Sequence, residues 1–127
     1  MAERDAGRND FWASFLELSG FTRAWMALGL TDDDLRSLQL AILEGPTRYP
    51  VISGTGGLRK IRFAPTRGGR GKSTSHRVCY ACFLADGVVV LAMVYSKDEA
   101  SDLTARQRRE IAAALTMIEE ELKRGER

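Results

Sequence analysis

Residues Ser53 to Tyr80 read SGTGGLRKIRFAPTRGGRGKSTSHRVCY, and the other elements are predicted to be arranged around this stretch. Leu58 to Phe63 has the alternation of a β-strand, in which successive side chains point to opposite faces. Its apolar side chains are expected on one face, with Lys60 and Arg62 on the other. The strand therefore places two cations side by side.

Loops are predicted on both sides of this strand. Thr47 to Leu58 contains Pro50 and three glycines, and we interpret it as a flexible turn. Its GTGG lacks the spacing and the following Lys-Ser/Thr of a P-loop. Ala64 to Ser75 is rich in glycine and basic residues, which predicts a mobile loop that packs on nothing.

A β-hairpin is predicted next. Arg77 to Leu84 and Val88 to Tyr95 read as strands, and Asp86-Gly87 between them is typical of a two-residue turn. This turn sets Arg77 opposite Ser96 and next to Lys97. An antiparallel arrangement with the first strand brings its two cations to the same end of the hairpin.

A short strand and two helices are predicted upstream. Phe11 to Leu18 has the alternation of a half-buried strand. The first helix closes near Gly29. The second begins at Thr31, a helix-capping residue followed by three acids that suit the positive end of the helix dipole, and it ends at Gly45-Pro46. The apolar positions at helical spacing are Phe21, Trp25 and Leu28 in the first helix and Leu35, Leu38 and Ile42 in the second.

The C-terminal segment predicts a third helix. Thr104 and Gln107 fit a capping box, and an apolar stripe follows that should pack on the sheet. The stripe consists of Ile111, Leu115, Ile118 and Leu122. Arg106, Arg108 and Arg109 near the helix start are interpreted as a solvated face, with a partner contact as the alternative.

These elements predict an α+β fold in which an antiparallel sheet packs against two N-terminal helices and a C-terminal helix. The chain has 127 residues, enough for one core, and we expect a polar tail over 1–10 and one domain over 11–127. The longest apolar run, Val88 to Tyr95, is far too short to span a membrane, and the N-terminus does not resemble a signal peptide. A cytoplasmic protein without a membrane partner is expected.

The two cysteines do not predict a metal site. Cys79 and Cys82 have the spacing of a CxxC motif but lie in a predicted strand, where residues three apart point to opposite faces. The chain contains a single histidine, so the usual His/Cys ligand sets are not available. We expect no metal and no cofactor.

Charge is strongly separated along the chain. Gly45 to Ala85 contains eight Lys or Arg and no acidic residue, which leaves 11 of the 19 basic residues and all 17 acidic residues elsewhere. The formal net charge of +2 hides this local excess of eight positive charges. Because the local field attracts a polyanion, a phosphate-rich partner is predicted.

Several segments resemble the RelE/ParE superfamily of bacterial toxins, most closely its HigB-like branch. They are LQLAILEGP, VISGTGGLRKIRF, RGGRGKS, HRVCY and VYSKDEASDLT, and the resemblance runs from about Phe15 to Leu122. It implies a RelE-like fold and a ribosome-dependent mRNA endoribonuclease that enters the ribosomal A site. It also implies a cognate antitoxin as a partner.

The resemblance also implies which residues act. The 2′-hydroxyl of the RNA would attack the adjacent phosphate, and the matching cations here are Lys60, Arg62, Arg77 and Lys97. Contacts to messenger or ribosomal RNA would come from Arg59, Arg67, Arg70 and Lys72. The aromatic residue that better-known members carry near the C-terminus is replaced by Leu103, so Tyr80 or Tyr95 is the candidate for stacking on a base, with an ordinary role in the sheet as the alternative.

The chemical type of each of these side chains suggests its role in the reaction. Arginine grips phosphate oxygens and does not lose its proton, so Arg62 and Arg77 suit stabilisation of the charged transition state. Lys60 is the candidate base, since the like charges of neighbouring arginines ease the loss of its proton. Lys97 is the candidate acid or second clamp, and His76 is the competing base.

A second class of function needs no catalysis. The same cationic face could hold nucleic acid electrostatically, and the superfamily also contains members that poison DNA gyrase. Cleavage of message in the presence of ribosomes separates the two classes.

Overall fold

The computed structural model of the protein describes residues 13–65, 75–96 and 103–125. Their elements are β1 (Ser14–Glu17), α1 (Ser19–Ala27), α2 (Asp32–Leu43), β2 (Arg59–Phe63), β3 (His76–Phe83), β4 (Val88–Ser96) and α3 (Ala105–Gly125), with a 3₁₀ turn at Leu84–Asp86. The predicted α+β class and the predicted order of strands and helices are confirmed.

The four strands form one sheet in the order β1-β4-β3-β2. β2 pairs antiparallel with β3, as predicted, and β3 pairs antiparallel with β4. β1 joins the sheet parallel to β4, with Ser14 opposite Val88 and Glu17 opposite Leu91. The sheet is therefore mixed, because β1 and β4 run in the same direction while the other two strand pairs are antiparallel.

Helices α1 and α2 pack on one side of the sheet, which we call the α1/α2 face. Trp25 of α1 stacks on Phe21 and on Phe63 of β2, with ring centroids 5.4 and 5.9 Å apart. Its indole N–H donates to the carbonyl of Thr31 at 3.1 Å, so the polar atom of this buried side chain is satisfied. The other buried members include Leu38, Ile42, Ile61, Val78, Tyr80, Val89 and Leu91.

Helix α3 packs on the other side, the α3 face. Leu115 is buried there against a cluster that includes Leu58, Cys79, Ala81, Ala92, Tyr95 and Leu103, and Ile111 and Ile118 pack against its edge. Cys82 packs on the α1/α2 face instead. The two thiols thus lie on opposite faces, as strand alternation predicts.

Both predicted helix caps are present. The Thr31 hydroxyl accepts from the Asp34 N–H at 3.1 Å, and the Thr31 N–H donates to the Asp34 carboxylate at 2.8 Å. Thr104 and Gln107 make the equivalent two bonds at the start of α3. Each box satisfies two N–H groups that a helix start leaves without a backbone partner.

The hairpin turn differs from the prediction. Phe83, rather than Ala85, pairs with Val88, and the 3₁₀ turn occupies the intervening residues with Gly87 at a φ of 66°. A register shift between Cys79 and Tyr80 also inserts an extra residue into β4, and at the open end Arg77 faces Tyr95 rather than Ser96. Asp-Gly suits more than one turn type, so it does not fix the register. The alternation of apolar and polar residues gives no sign of the bulge.

The loop before β2 is ordered, which corrects its interpretation as a flexible turn. Thr55 is fully buried, and its hydroxyl donates to the Ile52 carbonyl at 2.6 Å and accepts from the Leu58 N–H at 3.0 Å. Arg108 of α3 donates to the Ser53 carbonyl at 3.0 Å. One of the three arginines of the α3 start therefore anchors this loop.

The described residues contain neither a membrane-spanning helix nor a cluster of metal ligands. No helix among them is long and apolar enough to cross a membrane. Over the same ranges, no group of three or more His, Cys, Asp or Glu side chains is placed to hold a metal ion.

Candidate nucleic-acid interface

Three of the predicted cations meet at one end of the α3 face. Arg62 of β2 is the direct cross-strand neighbour of Arg77 on β3, and Lys60 lies two residues before Arg62 on the same face. Directly opposed side chains have Cβ atoms about 4.5–5.5 Å apart. We call Lys60, Arg62 and Arg77 the cationic cluster.

The cluster is open to solvent and is not neutralised by acids in the described part of the chain. Arg62 is exposed, and Lys60 and Arg77 are half-buried. The ion pairs among the described residues lie within α2 and α3 and include none of the three cations. Like charges directly opposite each other on a sheet are destabilising, so stability does not account for the Arg62–Arg77 pair. A bound anion would remove the repulsion.

One arginine of the pair is oriented by a neighbour that the sequence reasoning missed. Arg77 Nη1 donates to the Ser75 hydroxyl at 3.1 Å. The signal was available, because side chains two apart in an extended backbone share a face. The composition of the segment that ends at Ser75 predicts a mobile loop instead.

Lys60 lies opposite Cys79 across the β2–β3 ladder. Burial raises the pKa of the Cys79 thiol to about 11, although the Lys60 charge and a hydrogen bond with Tyr95 act in the other direction. At neutral pH the thiol stays protonated. It therefore contributes no negative charge that would offset the cluster.

Arg59 and Tyr80 lie on the α1/α2 face, which corrects their prediction as nucleic-acid contacts. The Arg59 guanidinium donates to the carbonyls of Thr47 at 3.0 Å and Tyr49 at 2.6 Å. Tyr80 is fully buried, donates to the Pro46 carbonyl at 2.7 Å, and has a pKa raised by burial. Both side chains hold the segment after α2 against the sheet.

His76 and Tyr95 are also placed differently from the cluster. His76 pairs with Phe63, so it faces α1 and α2, away from Arg77, and it is 6% exposed. Tyr95 is opposite Arg77 on the α3 face but is only 7% exposed. Strand alternation places His76, the competing general base, on the face opposite the cationic cluster. Burial leaves the Tyr95 ring little surface on which a base of the RNA could stack. Tyr95 is therefore an ordinary buried residue of the sheet, which is the alternative given for it above.

The remaining predicted site residues lie outside the described ranges. They are Lys97 and the loop residues Arg67, Arg70 and Lys72. Their roles stay predictions. In the sequence, the three loop cations lie between β2 and β3, and Lys97 directly follows β4.

No protein-family model matches the chain. Among solved structures, a mutant of the E. coli toxin RelE in the free state is similar, with a TM-score of 0.48 and 16% sequence identity. The match covers 71% of this chain and 88% of that one. A likeness this distant does not assign the chain to a family.

Proposed function

We propose that the protein is the toxin of a type II toxin-antitoxin system, a ribosome-dependent endoribonuclease that cuts messenger RNA. The observation that carries the proposal is the Arg62–Arg77 pair beside Lys60. Three cations on one face, without a carboxylate among the described residues to pair with them, suit a phosphodiester of RNA better than an uncharged ligand. The sequence resemblance to the HigB-like branch supplies the reaction type.

The reaction needs three functions at one phosphate. The 2′-oxygen forms a bond to phosphorus while the bond to the 5′-oxygen breaks, which yields a cyclic 2′,3′-phosphate and a free 5′-hydroxyl. Lys60, in its uncharged form, takes the proton of the 2′-hydroxyl, and Lys97 gives a proton to the leaving oxygen. Arg62 and Arg77 bind the non-bridging oxygens, whose charge increases in the transition state.

Two partners belong to the proposal. The ribosomal A site would present the message, with Arg67, Arg70 and Lys72 contacting RNA. A cognate antitoxin would restrain the toxin, since complementary charge over the cationic cluster both masks it and speeds association.

The test is mapping of message ends by primer extension in cells expressing the protein, with and without the product of the neighbouring reading frame. Cleavage at codon-defined positions and growth arrest are expected, both relieved by the neighbour. Arg77→Ala and Lys60→Ala should each lower cleavage about a hundredfold or more, the size of effect seen when a transition-state donor or a general base is removed.

The matched control is Arg36→Ala, which removes an exposed arginine from α2, paired with Asp33 at 3.5 Å. It should cut like the wild type. If Arg77→Ala also cuts like the wild type, the site assignment is wrong. If nothing is cut although RNA is bound, the non-catalytic alternative replaces the ribonuclease, and inhibition of gyrase becomes the next assay.

A further inference from the structure

The hydroxyl of Ser75 lies beside the cationic cluster and has no role in the reaction as described. It accepts an N–H from Arg77 Nη1 at 3.1 Å, in a partly buried position. A guanidinium has five N–H donors and no acceptor. The bond to Ser75 therefore fixes the direction of the group and leaves four donors for another ligand.

The two arginines of the pair differ in this respect. Arg62 is exposed, whereas Arg77 is half-buried and tied to Ser75. Repulsion between directly opposed cations would turn the two guanidinium groups apart, and a long side chain loses rotamer freedom when it binds. Because the Ser75 hydroxyl already holds the Arg77 guanidinium, phosphate binding has less repulsion to overcome and loses less rotamer freedom.

We propose that Ser75 is a positioning residue that holds the Arg77 guanidinium in the orientation in which it receives the RNA phosphate. The inference rests on the proposed function, in which Arg77 binds the reacting phosphate. Ser75 acts through Arg77 and does not itself touch the substrate. Its effect must therefore disappear when Arg77 is removed.

The experiment is a double-mutant cycle of Ser75→Ala and Arg77→Ala, with single-turnover cleavage of message on ribosomes at saturating protein. Ser75→Ala should lower the rate about tenfold, as expected for a lost hydrogen bond to a charged group. Ser75→Thr, which keeps the hydroxyl, should restore the rate.

In the Arg77→Ala background, Ser75→Ala should have no further effect. Where that background cuts too slowly to measure, the same cycle is read from the affinity for a short single-stranded RNA at low salt. Ser37→Ala is the matched control, since it removes an exposed serine on α2, across the sheet from the cluster. Its rate should equal that of the wild type.

Two results overturn the positioning role: a Ser75→Ala rate equal to that of the wild type, or an equal loss in both backgrounds, which would mean that Ser75 acts on its own. Failure of the proposed function is seen separately, as wild-type protein that does not cut on ribosomes. In that event the RNA-affinity cycle still decides, because coupling between the two residues supports the positioning role and independent effects refute it.

Discussion

At the scale of single residues, the cationic cluster is defined by which face of a strand each side chain occupies. Lys60 and Arg62 share the α3 face with Arg77, while Arg59 and His76, one position away, face α1 and α2. Arg59 donates to two backbone carbonyls there, so its charge is used inside the fold. Neighbours in sequence thus have unrelated roles.

Cys79 gives a prediction about alkaline stability. Its ordinary pKa of 9.0 is raised to about 11 in the folded protein by burial. The folded state therefore holds this proton more tightly than the unfolded state does. The contribution is fully present below pH 9 and is lost as pH rises toward 11, by about 1.4 kcal/mol per pH unit.

Urea unfolding between pH 8 and pH 11 measures this loss. Cys79→Ala should show a flatter decline than the wild type over that range. Tyr80, whose pKa burial also raises, and Cys82 contribute to the decline in both proteins, so the difference between the two slopes isolates Cys79. Parallel curves for the two proteins would mean that the thiol ionises equally well in the folded state.

At the scale of elements, Gly56 in the loop before β2 allows this loop to pack against α3. Gly56 has a φ of 77°, and a Cβ there would lie 3.5 Å from the Ala112 Cα. Gly20 in α1 has open space within 4 Å of its Cβ position. The same substitution should therefore have opposite effects at the two positions.

Gly56→Ala should destabilise the protein by roughly 1–2 kcal/mol, because alanine rarely adopts a positive φ. Gly20→Ala should stabilise it by up to about 1 kcal/mol, since alanine has the higher helix propensity. Urea midpoints of the two variants and the wild type make the comparison. Equal midpoints for Gly56→Ala and the wild type would show that the loop is as free as its sequence suggested.

The elements also show how far sequence reasoning reached. Strand alternation predicted the faces of Lys60, Arg62 and the two cysteines, and capping patterns predicted the starts of α2 and α3. The predicted hairpin register was wrong, because the register depends on a bulge in β4 and on a turn whose Asp-Gly sequence fits several geometries. The prediction that the GTGG loop is flexible was wrong, because the residue that anchors the loop, Arg108, lies 55 residues away from Ser53 in the sequence.

The site was predictable to the same extent and for the same reason. The convergence of Lys60, Arg62 and Arg77 needs only alternation and an antiparallel pair. The prediction for Tyr80 was wrong, because the residue type alone does not show whether a tyrosine ring in a strand faces the core or the solvent. The faces of the strand must be assigned first. Once Lys60 and Arg62 define the α3 face, the β2–β3 register assigns Tyr80 to the other.

At the scale of the whole molecule, charge separation predicts that binding depends on where charge lies and little on net charge. The cationic cluster lies in a segment with an excess of eight positive charges, in a chain of net charge +2. Three cations outside that segment are held in ion pairs on helices: Arg36 with Asp33, Lys123 with Glu119 and Arg124 with Glu121. Two sets of three cations can therefore be removed with the same change of net charge.

Replacing Lys60, Arg62 and Arg77 by alanine should reduce the salt dependence of binding to single-stranded RNA. Each phosphate contact contributes about 0.7 to the slope of log affinity against log salt, so the slope should fall by about 2. Replacing Arg36, Lys123 and Arg124 by alanine changes the net charge equally and should leave the slope unchanged. The measurement is the dissociation constant for one RNA at several salt concentrations. Equal slopes for the two triple variants would show that RNA responds to overall charge, and the cluster would then have no special part in binding.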